Sequence, residues 1–183
     1  PVNPAERIYY PVADNQEPQI FIGTDKEIET PSISFFFKSE AFPDSLKNTI
    51  NYYGIQYMLS MGISMLNSRL AEIRQQADPP FTGASAGYGD FFVAKTKSAF
   101  GIDASSKIGG IELAMKTILE EAERARRFGF TPTEYDRARA NYLQAVESAY
   151  NEREKTKSGS YVNEYVNNFL DKEPIPGIEV EYT

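Results

Sequence analysis

Apolar positions recur along this chain with two different periods, and the switches between them mark out the elements. Residues 19–24 read as a first strand and 25–31 as a polar turn region. In 32–38, Ile33, Phe35 and Phe37 fall on one face at period two, with Phe36 on the other, which is the strongest strand signal in the chain. Phe42-Pro43-Asp44 then opens a helix that Asp44 or Ser45 can cap. Ile50, Tyr53, Tyr57, Met61, Met65, Leu66, Leu70 and Ile73 recur at helical spacing, and the helix ends near residue 76 before Asp78-Pro79-Pro80. The methionines on this face read as core filler.

Residues 82–89 are small and glycine-rich, which predicts a strand packed closely under a helix; a phosphate loop is excluded because no Lys-Ser/Thr pair follows. Residues 98–104 form another strand, with Phe100, Ile102 and Ala104 on one face. A helix over 111–127 buries Ile111, Ala114, Met115, Ile118, Leu119 and Ala122, and Gly129 is placed to close it in a left-handed conformation. Thr131, Pro132 and Glu134 make a capping-box start for the next helix, on which Tyr135, Ala138, Tyr142, Ala145 and Ala149 share a face. Ser158-Gly159-Ser160 interrupts the pattern, 161–170 resumes it, and 178–183 reads as extended. The order strand, strand, long helix, strand, strand, helix, long helix predicts an α+β two-layer sandwich. It has an open, mostly antiparallel sheet with helices on one face.

Composition narrows the chemistry. The 183 residues contain no His and no Cys, so serine catalysis through an imidazole base, disulfides and thiolate metal sites are all excluded. A catalytic zinc ion takes three protein ligands and keeps one position open; carboxylates alone suit calcium or magnesium better, and no calcium-loop spacing is present. Ser98, Ser105, Ser106, Ser158 and Ser160 lie near lysines in sequence, as two such common residue types do by chance. The formal net charge of -7 argues against non-specific nucleic-acid or anionic-membrane binding, and no run approaches the length of a membrane helix. Residues 1–18 hold four prolines and read as a linker or arm, leaving 19–183 as a single domain. The start at Pro1 without Met is what a piece of a longer protein would show.

Several segments carry a family likeness. Met65-Leu66-Asn67-Ser68-Arg69-Leu70-Ala71-Glu72 resembles the Asn-x-Arg-Leu-x-Glu helix segment of pitrilysin/insulinase-type zinc peptidases. It is followed by Pro79-Pro80-Phe81 and a small-residue strand, as in that family. Gly129-Phe130-Thr131-Pro132-Thr133-Glu134, with Arg137-Ala138 beyond it, resembles the turn that starts their next helix. Thr24-Asp25-Lys26-Glu27 and the run from Glu173 to Ile178 resemble the bacterial processing-protease branch.

The resemblance implies a domain like those of mitochondrial processing peptidase, where similarly folded domains enclose a chamber. The zinc motif His-x-x-Glu-His belongs to the first domain there, and nothing in this chain matches it. The expectation is therefore the non-catalytic second domain of the N-terminal half, forming chamber wall and interdomain interface. Zinc is expected in a neighbouring catalytic domain, which would be the partner, along with the peptide substrates of the parent enzyme. Asn67, Arg69, Glu72, Gly129, Thr131, Glu134 and Arg137 are expected to serve structure or interface, with no catalytic or metal residue. The bacterial branch implies the cell envelope or periplasm, with the cytoplasm as the alternative. A second reading is a catalytically dead homologue acting as a structural or peptide-binding module.

Overall fold

The computed structural model describes residues 8–182. Part of the expected arm, residues 1–7, lies outside them. Three strands form one antiparallel sheet: β1 (Ser32–Glu40), β2 (Gly83–Phe91) and β3 (Ala94–Ser105), in the order β1-β3-β2. The helices are α1 (Asp44–Lys47), α2 (Ile50–Arg74), α3 (Ile111–Phe128), α4 (Pro132–Asn151), α5 (Ser158–Asp171) and α6 (Ile178–Tyr182). A 3-10 turn spans Arg153–Lys155. The architecture is the expected α+β class: a small antiparallel sheet with helices packed on one face.

The chain folds as two compact units. One comprises the chain up to Ala41 together with Leu66–Phe128; the other comprises Phe42–Met65 and residues from Gly129 onward. In the first unit, register decides the core. Phe35 lies opposite Ile102, and Ile102 opposite Ala86, while Ile33 and Ala84 flank Ala104, so all six side chains share one face. Ile102 and Ala104 are buried there, as are Ala114 and Ile118 of α3, which packs on β3 and β1. Leu66 and Leu70 on the last turns of α2, and Phe81 just before β2, are buried too.

The other face of the sheet is lined mostly by small and polar residues. It carries Gly83, Ser85, Gly87 and Gly89 from β2, Gly101 and Asp103 from β3, and Ser32 and Ser34 from β1. A Cβ added at Gly83, Gly87 or Gly89 would meet nothing within 4 Å. The glycines expected to sit under a helix thus point away from the helical layer; the alanines between them face it. One bulky group interrupts this face. Phe36 lies over Gly101 and meets Phe92 in a tilted pair at 4.9 Å between ring centres and Phe91 edge-on at 6.0 Å. Phe92 sits in the two-residue loop between β2 and β3 with φ 54°, the left-handed region that bulky residues avoid.

The second unit is helical. Met61 and Met65 of α2 pack with Ala138 of α4, and Tyr57 and Phe130 flank them. The Tyr57 ring meets Tyr142 edge-on at 5.2 Å, and its hydroxyl lies 3.2 Å from that of Tyr135. The capping box is formed: the Glu134 N–H donates to Thr131 Oγ1 at 3.3 Å, and the Thr131 N–H donates to Glu134 Oε2 at 2.7 Å. Gly129 closes α3 with φ 65°, as expected.

Four sequence expectations are corrected. Residues 19–24 form no strand, so the sheet has three strands rather than four. The helix expected from Asp44 is broken, because Pro43 precedes α1 with no side-chain cap and Thr49 starts α2 afresh by accepting the Tyr52 N–H on its Oγ1. The interruption near Ser158 falls at the preceding 3-10 turn, and Ser158 opens α5 instead. Residues 178–182 are helical, with Gly177 at φ 81° supplying the sharp turn into α6.

Candidate functional site

Asn67 makes the most specific side-chain arrangement among the residues singled out above. Its Oδ1 accepts the Ala86 N–H at 2.8 Å, and its Nδ2 donates to the Ala86 carbonyl at 2.9 Å. A residue in an antiparallel strand sends both backbone groups to the same side. Ala86 sends both to Asn67, so this is the side away from β3. The amide of Asn67 therefore occupies the middle of the outer edge of β2 as one rung of a further strand would.

The other outer edge differs. Ser106 donates to the Pro31 carbonyl, which sets the alternation along β1 and turns the backbone groups of Ser34, Phe36 and Lys38 outward. Among the described residues no backbone hydrogen bond closes that edge.

The remaining expected residues are placed as follows. Arg69 is half-buried and Glu72 exposed on the last turns of α2. Gly129, Thr131 and Glu134 together build the turn between α3 and α4, and Arg137 is exposed one turn later.

A polar cluster that sequence reasoning missed lies on the small-residue face of the sheet at the Glu40 end of β1. Lys97, only 6% exposed, directs its ammonium to Glu40, its cross-strand partner on β1, and to Asp14 at 2.9 Å. Lys38 Nζ donates to the Ala13 carbonyl at 2.5 Å, and Thr96 Oγ1 to that of Tyr10 at 3.3 Å. Together these tie the arm to the sheet. The hydrogen bond from Lys97 holds the Asp14 carboxyl below its ordinary range, and hydrogen bonds to Glu40 and Asp14 push the Lys97 ammonium up. The one available signal was a lysine opposite a glutamate, legible only once the register is known.

In the second unit a groove of about 480 Å³ runs past Glu152, Lys155, Tyr161, Glu164, Pro174 and Ile178. Its charges alternate in sign and present no acid-base pair aimed at a common point. Among the described residues no group of three or more His, Cys, Asp or Glu could hold a metal ion, and the donor set does not fit zinc. No described helix is long and apolar enough to cross a membrane.

No family model matches the chain. It is 29% identical over 172 residues to a zinc protease PQQL-like protein of Arabidopsis thaliana, a match covering 94% of this chain and 14% of that protein. Its fold matches the periplasmic protease PqqL from Escherichia coli with a TM-score of 0.76 at 18% identity, over 86% of this chain and 17% of that one. The first half of PqqL, solved separately, matches at 0.74 and 17% identity, over 86% of this chain and 33% of that structure. An insulinase family protease from Yersinia pestis matches at 0.67 and 9% identity, over 82% and 32%. Together these likenesses show a fold shared with PqqL and with an insulinase family protease, and a sequence likeness to a PqqL-like protein. The chain spans only a small part of the length of each PqqL-like relative it matches.

Proposed function

We propose that this chain is an accessory, non-catalytic domain of a PqqL-like zinc metallopeptidase. In this reading residues 19–183 act as one domain, the second of the N-terminal half, with 1–18 as an arm. The domain forms part of the chamber wall and an interface with the catalytic domain, which carries the zinc and meets the peptide substrates. Asn67, Arg69, Glu72, Gly129, Thr131, Glu134 and Arg137 maintain that wall and interface. The periplasm is the compartment that the likeness to PqqL favours.

The observation that carries the reading is a match, over 94% of this chain and 14% of the relative, to a PQQL-like zinc protease by a chain with no imidazole or thiolate. The test is elemental analysis and peptide hydrolysis, on the 183-residue chain and on the protein with its flanking sequence. Zinc and hydrolysis are expected only in the longer protein. Stoichiometric zinc in the 183-residue chain, or neither property in the longer protein, removes the reading.

The open edge of β1 favours one alternative, a catalytically dead homologue that binds extended peptides by strand addition. A His-x-x-Glu-His motif about one domain upstream decides against it.

A further inference from the structure

Residues 19–24 have the composition of a strand and no strand to pair with. Ile20, Phe21 and Ile22 are 84%, 92% and 84% exposed. The Phe21 ring lies 3.1 Å from where a Cβ on Gly23 would sit, so positions 21 and 23 share one side, as alternate residues of a strand do. Ile20 and Ile22 then take the opposite side. Among the described residues, 18–24 make no backbone hydrogen bond.

A strand apolar on both sides belongs where both faces of a sheet are covered. The open edge of β1 does not offer that. Its core face is apolar, but its other face presents Ser32, Ser34 and Lys38, with Phe36 as the one apolar side chain between them, already engaged with Phe91 and Phe92. Pairing there would bury one side of the segment and leave the other in water, and the chain does not adopt it.

We propose that residues 19–24 pair, outside this domain, with an edge strand in a neighbouring domain of the same polypeptide, one whose sheet is lined by apolar side chains on both faces. The inference rests on the reading of this chain as one domain of a longer protease. Relatives supply the room for such a partner, since the chain covers 14% of the Arabidopsis protein and 33% of the solved half of PqqL. The flanks of the segment carry Glu17, Asp25, Glu27 and Glu29 against Lys26, so basic residues belong on the rim of the receiving edge.

Hydrogen exchange read by mass spectrometry tests this on the 183-residue chain and on the protein with its flanking sequence. Amides of 19–24 are expected to exchange freely in the former and at least about a hundredfold more slowly in the latter. Ile20→Asp and Phe21→Asp, on opposite sides, should each abolish that protection while β3 stays protected. Equal, fast exchange in both proteins overturns the proposal. So does protection within the 183-residue chain, whether independent of concentration (pairing in cis) or rising with it (a second copy). Loss of protection with only one of the two variants overturns the two-sided partner. Protection without zinc or hydrolysis leaves the pairing standing and removes the peptidase reading; hydrolysis with a freely exchanging segment does the reverse.

Discussion

Replacing Asn67 with alanine removes both bonds that hold the edge of β2. Each is a neutral hydrogen bond worth about 0.5–1.5 kcal/mol net, so the pair contributes about 1–3 kcal/mol. Ala86 is buried, and water reaches its freed N–H and C=O poorly, which places the loss in the upper part of that range. Alanine is the better helix former, by up to about 0.7 kcal/mol, and this offsets part of the loss. The expected net destabilisation is about 1.5–2.5 kcal/mol. Asn141→Ala on the exposed surface of α4 is the control, because it changes the propensity alone. Urea unfolding, with exchange of the Ala86 amide as the local probe, reads both. Asn67→Asp adds a second check: the carboxylate can accept the Ala86 N–H but repels its carbonyl, whereas the protonated acid can do both jobs. Its deficit should therefore shrink as the pH falls through the carboxyl pKa. A deficit for Asn67→Ala within about 0.5 kcal/mol of the Asn141→Ala value would refute the edge-closing role.

Other consequences are accessible to the same preparations. Lys97→Met should release the arm, so that limited proteolysis cuts near residues 10–18 faster while β3 stays intact. Unchanged cleavage would mean that Lys38 and Thr96 suffice. Thr131→Ala should cost about 1 kcal/mol by opening the capping box, measured as a shift of the urea midpoint. Glu123, hydrogen-bonded by Arg126 and then Arg127, has its carboxyl lowered to about 2 from 4.5. Its folded pKa is depressed, so its contribution is present above the unfolded value and lost as pH falls from 4.5 toward 2. Carboxyl NMR should show that low pKa, and Glu123→Gln should flatten the acid limb of stability in the same window.

Where local chemistry decides structure, the sequence was sufficient. Thr131, Pro132 and Glu134 start α4 through bonds among neighbours, and Gly129 ends α3 by its own backbone freedom. The period-two pattern of Ile33 and Phe35 likewise survives, because their face packs against α3, although Phe37 at the far end of that face stays exposed. Residues 19–24 mislead because strand composition records a need for partners without saying whether this chain supplies them. The Lys97 cluster and the Asn67 clamp depend on register between distant segments, which no local pattern reports. The helix at 178–182 rests on Gly177 and on the stacking of Tyr182 on Tyr150, at 4.3 Å, neither of which a six-residue window weighs against its own β-branched content.

The loop carrying Phe92 has a consequence for the order of assembly. A two-residue hairpin usually forms early, because glycine or asparagine at the turn makes it locally self-sufficient. Here the turn residue carries a steric penalty, and its ring contacts come both from the neighbouring Phe91, at 4.8 Å, and from Phe36, far upstream on another strand, at 4.9 Å. Part of the compensation therefore waits until β1 has docked, which couples a nominally local step to a long-range one and slows it. Stopped-flow refolding of Phe92→Gly, which removes the penalty and the ring contacts together, reads that order: the hairpin should gain speed as it loses its dependence on the distant strand.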